Sequence, residues 1–370
     1  MPAYSTDPRV VLTLDGGGTS FRFFAVRGNQ PITPVVILPS NGDHLEGCLA
    51  NIIQGFAQVK EQCPEPPVAI SFAFPGPADF PNGILGDLYN LPGFRGGVPL
   101  GPILQQHFQV PTFMNNDGDL FVYGEALSGF LPYVNGLLER AGSPKRYRNL
   151  FGVTLGTGLG AGIVRNGELF LGDNSMGAEI WLIRNKLEPD MNSEEGASIR
   201  AVRRVYAAEA GLSFEQAPEP KVIFEIAEGK APGNRPAAIE AFRRLAVVTG
   251  EAMGDALTLV DGLGVIGGGL AGAWPVFLPT LISELNSSYS SHDGRTYPRL
   301  TAKAYNLEDS IEREQFLRGD PAEVTVPGTS RRIRYDKLPR VGIGISRLGT
   351  SEATCIGAYA FALQALDRKP

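Results

Sequence analysis

The chain has 370 residues, enough for two domains and room for a third at roughly 150 residues each. Apolar residues at 43% support real cores, while Gly 46 and Pro 29, about a fifth of the chain, fall short of the ~25–30% of low-complexity sequences, which excludes a disordered chain. A net charge of -6 argues against general affinity for nucleic acid or an anionic membrane.

No apolar run reaches the ~18–20 residues of a membrane span, and the short polar start, Met1–Arg9, has no signal-peptide character. Cys48, Cys63 and Cys355 form no CxxC pair and no disulfide framework, so a reducing cytoplasm is the expected compartment.

The first expected element is a strand over Val10–Leu14. The turn Asp15-Gly16-Gly17-Gly18-Thr19 then leads to a second strand, Phe21–Val26, completing a hairpin. Val35–Leu38 reads as a third strand. A helix follows, with Asp43 as N-cap and Glu46 three residues on as in a capping box. Leu45, Leu49, Ile52, Ile53, Phe56 and Val59 give it one apolar face, and Pro64, Pro66 and Pro67 stop it. Val68–Phe74 reads as a buried strand ended by Pro75-Gly76-Pro77. This order of elements predicts an α/β domain.

The pattern recurs. Leu150–Leu155 leads into Gly156-Thr157-Gly158-Leu159-Gly160-Ala161-Gly162, Ile163–Val164 resumes the strand, and Glu168–Leu171 follows a turn. Helices are expected at about 196–210 and 236–260, then a short strand, Gly264–Ile266, and a third glycine run, Gly267-Gly268-Gly269. Ser287–Lys337 is the most polar stretch. It reads as an ordered insertion with a hairpin of Val324–Val326 and Arg332–Tyr335 around Pro327-Gly328. Ser351–Leu366 is expected to be an amphipathic, Ala-rich helix.

Glycine turns after strands let backbone N–H groups approach phosphate oxygens, because no Cβ keeps the anion away. No GxxxxGK[ST] loop occurs, and Ala161 and Ile163 break the GxGxxG spacing, so a different phosphate site is needed. Asp15 would repel a phosphate unless a cation lay between them, and Mg²⁺ with its waters suits that role. Asp15 could equally be a turn aspartate bonding its own backbone. Asn115-Asn116-Asp117-Gly118-Asp119 could be a polar turn before a helix, with Asp117 as N-cap.

Taken together, these segments resemble the ROK sugar kinases of the actin-like ATPase superfamily. Leu14–Thr19 resembles the first phosphate motif and Phe74–Pro77 the first connecting segment. Asn90-Leu91-Pro92-Gly93-Phe94 is similar to the family's NLPGW. Asn115–Asp119 with Gly124-Glu125 is similar to NDANAAALGE. Thr154–Gly160 resembles the second phosphate motif, Gly267–Gly269 the adenosine motif, and Gly357-Ala358-Tyr359 the second connecting segment.

The resemblance implies two α/β domains of actin-like (ribonuclease H-like) type with a nucleotide and sugar cleft between them. Residues 1–118 with 350–370 would form the smaller domain, closed by the C-terminal helix, and 119–349 the larger, with the insertion at about 287–337. It implies ATP on Asp15, Gly16, Gly17, Gly18, Thr19, Gly156, Thr157, Gly158, Gly268 and Gly269, with Mg²⁺ held by Asp15 through water. It implies a sugar on Gly76, Asn90, Asn116, Asp117, Glu179 and Glu194, with Glu195 as a substitute for Glu194, and Asp117 as catalytic base. Glu179 lies in Gly177-Ala178-Glu179-Ile180, similar to GEIGH, and Glu194 stands four before Ser198, as in the family's ExxxS. Carboxylates and Asn amides suit vicinal hydroxyls. A homodimer is a further implication.

One segment departs from the family. Leu182 stands where the family's His would be, and no cysteine lies between Cys63 and Cys355, so the family's CxCGxxGC zinc cluster cannot form. Trp181–Ser193 is expected to order itself by packing Trp181, Leu182 and Leu187. The leading expectation is an ATP-dependent kinase of a glucose-like or N-acetylhexosamine sugar. The alternatives are a degenerate sugar-binding relative and a sugar-responsive transcriptional regulator. The second would need a helix-turn-helix ahead of the first strand, where only nine residues precede Val10.

Overall fold

The computed structural model describes residues 4–16, 19–88 and 91–368. The chain forms two compact units. The first holds residues up to Gly129, Asn166–Gly177 and residues from Leu348 on; the second holds Phe130–Arg165 and Ala178–Arg347.

In the first unit Val11–Gly16 pairs antiparallel with Ser20–Arg27 and parallel with Ala69–Ala73, which pairs parallel with Thr112–Asn115. Gln30–Pro31 and Val36–Pro39 both add to Ser20–Arg27. One sheet face presents Leu12, Leu14, Phe21, Phe23, Ile70 and Phe72 to the helices Leu45–Glu61 and Leu100–Phe108. Phe23 meets Phe56 edge-on at 5.1 Å between centroids, so this core is largely aromatic.

The helix Leu45–Glu61 lacks the expected capping box. His44 is its N-cap and makes no side-chain cap bond. Asn41, at φ 48, starts a turn closed by the His44 N–H on the Asn41 carbonyl at 2.9 Å. Asp43 lies inside that turn, so the helix starts too late for it to cap.

Two helices, Asp117–Leu127 and Thr350–Asp367, pack on the opposite face, where Ala73, Leu120 and Ala358 meet. The last helix is not amphipathic as expected. Ala353 through Ala360 are all buried, because it lies against both the sheet and the helix Asp117–Leu127. A Cβ built on Gly124 would overlap the Ala353 carbonyl oxygen, and one on Gly357 would overlap the Leu120 carbonyl oxygen. Glycine at both positions lets the two backbones touch.

The second unit repeats the scheme. Leu150–Leu155 pairs antiparallel with Leu159–Arg165 and parallel with Leu263–Gly267, followed by Arg340–Ile345 and Lys303–Asn306 in parallel. The helices Ile199–Ala210, Pro220–Ala227, Arg235–Val260 and Trp274–Leu285 supply its core. Within 287–337, Pro321–Thr325 pairs with Arg332–Asp336 and Ser288–Ser290 with Thr296–Pro298, and these hairpins flank the sheet strand Lys303–Asn306 and the helix Ser310–Arg318. Among the described residues no helix is long and apolar enough to cross a membrane.

Candidate active site

Three parallel neighbours of the first unit end side by side, with Asp15 opposite Ala73 and Ala73 opposite Asn115. The segments leaving their C-terminal ends carry the candidate residues. This is where open α/β sheets place ligands. Asp15 is half-buried, and its Oδ2 accepts from Ser351 Oγ at 2.6 Å. Ser351, in the first turn of the last helix, is a neighbour no local sequence signal announces. The Thr19 carbonyl accepts from the Ser40 N–H at 3.1 Å, fixing the far side of the turn. Gly17, Gly18 and Asn90 lie outside the described residues. Gly76 is exposed, two residues beyond Phe74, whose N–H bonds the Asn115 carbonyl at 3.0 Å.

Asn116, rather than Asp117, is the N-cap of the helix Asp117–Leu127, its Oδ1 accepting from the Gly118 N–H at 2.8 Å. Asp117 is therefore the first helical residue and stands exposed, with its own Oδ1 also within 2.8 Å of the Gly118 N–H. The cap commits the oxygen end of the Asn116 amide to the helix. The amide nitrogen is then the end better suited to a ligand. Asn115 is fully buried, and its Oδ1 accepts from the Asn116 N–H at 2.8 Å, which stiffens the strand-to-helix junction.

In the second unit the Gly156 N–H donates to the Gly158 carbonyl at 3.0 Å, and the Gly156 carbonyl accepts from the Ile199 N–H at 2.8 Å. The third glycine run lies beside it, since Gly267 pairs with Thr154 and the Leu270 N–H bonds the Leu155 carbonyl at 3.0 Å. Gly268 adopts φ 89, and a Cβ there would strike the Leu155 carbonyl oxygen. A Cβ at Gly156 or Gly269 would meet nothing within 4 Å, so these backbones face open space of the kind a phosphate or nucleotide needs.

Glu194 Oε2 accepts from the Leu159 N–H at 3.0 Å, which ties this carboxylate to the second glycine turn. Arg200 donates to both Glu194 and Glu195 at 2.7 Å, and Glu195 also accepts from Arg204 at 2.9 Å. Hydrogen bonds from Arg200 and then Arg204 hold its carboxyl below the usual range. Glu179 is half-buried and accepts from Trp181 Nε1.

The segment 181–193 is ordered without cysteines. Asn185, 1% exposed, accepts the Leu187 and Glu188 N–H groups on Oδ1 at 2.9 and 3.2 Å. Its own N–H bonds the Met191 carbonyl at 2.9 Å, and Ser193 Oγ donates to the Ile180 carbonyl at 2.6 Å. Trp181, Ile183 and Leu187 pack on the core of this unit. Contrary to the expectation from the sequence, Leu182 does not join them; it is 60% exposed, because the short 3-10 turn Ile180–Leu182 points it outward. Among the described residues no group of three His, Cys, Asp or Glu side chains is placed to hold a metal ion. Asn185→Ala should remove two bonds that the buried Asn185 makes to half-buried backbone donors, cost roughly 1–3 kcal/mol and lower the melting temperature, whereas a zinc chelator should leave the melting temperature of the wild-type protein unchanged. Thermal unfolding with and without chelator checks both.

The family model for the ROK family matches residues 11–310. A glucokinase from Parabacteroides distasonis has a crystal structure with 51% sequence identity and a TM-score of 0.86, covering 98% of this chain and 99% of that one. A glucokinase from Thermotoga maritima is 30% identical over 173 residues, 46% of this chain, and the match spans about half of that relative's length, 49%. A ROK family glucokinase from Streptomyces griseus, solved in complex with glucose and AMPPNP, shares the fold at 20% identity and a TM-score of 0.61, covering 96% of this chain and 99% of that one. The chain belongs to the ROK family, in the two-domain, actin-like fold of its sugar kinases.

Proposed function

We propose that this ROK-family sugar kinase transfers the γ-phosphoryl group of ATP to a hydroxyl of a glucose-like hexose, with Asp117 as the general base. The observation that carries this reading is the exposed Asp117 carboxylate at the first helical position, directly after the N-cap Asn116. A hexose hydroxyl is a poor nucleophile, and its proton must leave as the phosphoryl group arrives. With a loose transition state that proton leaves late, so an ordinary carboxylate suffices. The proton passes from the attacking hydroxyl to an Asp117 carboxylate oxygen. Asn116, with its amide oxygen engaged by the helix, offers N–H donors to a neighbouring sugar oxygen. Glu179 and Glu194 accept from sugar hydroxyls, and Glu194 is favoured over Glu195 because two arginines hold the Glu195 carboxylate. Asn90 and Gly76 complete the expected sugar side.

The backbone N–H groups of the glycine turns suit phosphate oxygens, and Asp15 would hold Mg²⁺ through water. When bound, Mg²⁺ offsets the charge of the phosphates. Ser351 keeps one Asp15 oxygen in place at 2.6 Å. The glucose preference is supported by the glucokinases among the relatives, and the nucleotide by the glucose and AMPPNP complex of the Streptomyces griseus enzyme.

The exposed Leu182, at the position of the family's His, favours a second reading: a protein that binds sugar without turnover. A coupled ADP-release assay with Mg-ATP separates the two. Glucose, mannose, fructose, N-acetylglucosamine and N-acetylmannosamine form the panel. Sugar-dependent ADP release, greatest with glucose, is the expected result. Silence across the panel, with calorimetric glucose binding intact, would establish the second reading.

A further inference from the structure

Arg200 lies in the first turn of the helix Ile199–Ala210, six residues after Glu194. Its guanidinium makes four hydrogen bonds to three residues at once. Nη1 donates to the Thr157 carbonyl at 3.1 Å, inside the second glycine turn. Nη2 donates to Glu194 Oε1 and to Glu195 Oε1, each at 2.7 Å, and Nε donates to Glu195 Oε1 at 3.1 Å. Arg204 holds the other Glu195 oxygen at 2.9 Å, so Glu195 acts as the fixed backstop of the guanidinium.

Glu194 closes the circuit. Its Oε2 accepts from the Leu159 N–H at 3.0 Å, on the far side of the same turn. A Cβ at Gly158 would sit 2.5 Å from that oxygen, so only glycine lets the carboxylate reach the turn. Two of the roughly four lone-pair sites of Glu194 are used in this way, and the others can take hydroxyl donors. The Arg200 side chain is 39% exposed, and an ion pair of that exposure contributes little to stability. Its consequence is positional. A planar fork with several fixed donors can hold a carboxylate and a carbonyl in one geometry, which a lysine ammonium does far less well.

We propose that Arg200 is a positioning residue that locks the sugar-binding carboxylate of Glu194 to the phosphate-binding turn Gly156–Leu159, so that sugar and nucleotide bind with positive coupling. The proposal rests on the reading of Glu194 as a sugar ligand and of the turn as a phosphate site. Each ligand orders the same unit: the sugar by loading Glu194, the nucleotide by loading the turn. The second ligand to bind then has less to order.

Calorimetric titration of D-glucose, with and without saturating Mg-AMPPNP, tests this directly. In the wild-type protein AMPPNP should tighten glucose binding by about tenfold, within the range typical of coupled sites. In Arg200→Met the ratio should fall to about one, with the melting temperature within a few degrees of wild type, as expected for an exposed pair. Arg200→Lys should recover only part of the ratio. A role in folding alone would lower both affinities together and leave the ratio intact. A wild-type ratio of one, or a full ratio in Arg200→Met, overturns the proposal. Glu194→Gln distinguishes its failure from that of the underlying reading. Unchanged glucose affinity in that variant removes Glu194 from the sugar site, and the proposal with it. Weakened affinity there, beside an undiminished ratio in Arg200→Met, overturns the coupling alone. Absence of glucose binding by the wild-type protein removes both.

Discussion

Asp117→Asn should abolish sugar-dependent ADP release while leaving AMPPNP affinity within about threefold of wild type. A positioned general base contributes about 10²–10⁴-fold, so kcat should fall by at least ~100-fold. The substitution is well suited to isolating chemistry from structure. Asp117 is exposed, and an Asn amide oxygen can accept the same Gly118 N–H that lies 2.8 Å from Asp117 Oδ1. The lost charge in the first helical turn costs roughly 0.3–1 kcal/mol, and Asp119 leaves a second carboxyl in that same turn, at the positive end of the helix dipole. The melting temperature should therefore hardly change. Sugar KM should rise less than kcat falls, because the base acts in the transition state. Turnover near the wild-type rate would take Asp117 out of the mechanism and leave Asn116 and the glycine turns as a binding site only.

Gly357→Val should be the most destabilising single change in the first unit. The helices Asp117–Leu127 and Thr350–Asp367 meet backbone to backbone there, and the first added carbon already overlaps the Leu120 carbonyl. Backbone atoms cannot rotate away as a flexible side chain can, so the last helix must shift along ten buried positions. Overpacking costs about 1–3 kcal/mol, and more where nothing can yield, so about 3 kcal/mol is expected. For a domain of this size that is roughly a 10 °C loss in melting temperature. Gly272→Ala is the matched control, because a Cβ there meets nothing within 4 Å. It should leave melting within about 2 °C. A Gly357→Val protein that melts with the wild type would show that the two helices do not touch in solution.

The glycine turns are the most legible part of the candidate site, because each follows an apolar strand, and the structure places Asp15-Gly16, Gly156–Gly158 and Gly268-Gly269 at strand ends. The hairpin-then-parallel order of each sheet follows from the same turns. Other elements leave no periodic trace. The helix Asp117–Leu127 is buried on nearly every side, so its sequence shows no apolar stripe. Trp274–Leu285 is mostly apolar, with Thr280, Ser283 and Glu284 as its polar residues, and carries Pro279 inside it. The strand Arg340–Ile345 alternates the β-branched Val341, Ile343 and Ile345 with Gly342 and Gly344, and glycine, depleted in strands, masks it. Ser351 and Arg200 were illegible for a different reason. Ser351 meets a partner 336 residues away, and Arg200 looks like any charged residue on a helix surface until Thr157 and Glu194 are brought beside it.

The placement of the last helix sets the order in which the chain can complete itself. The first unit is encoded at both ends of the sequence, with about 220 residues between Gly129 and Leu348, most of them in the second unit. At roughly 5–20 residues per second on the ribosome, that is a wait of about ten to forty-five seconds. During it the sheet face with Thr13, Ser71 and Ala73 has yet to receive the helix that covers it. The second unit can finish folding first, although its strands are synthesised later. The buried glycine and alanine surface of the helix Thr350–Asp367 thus completes the first unit late, and the nascent chain carries an open sheet face until that helix is made.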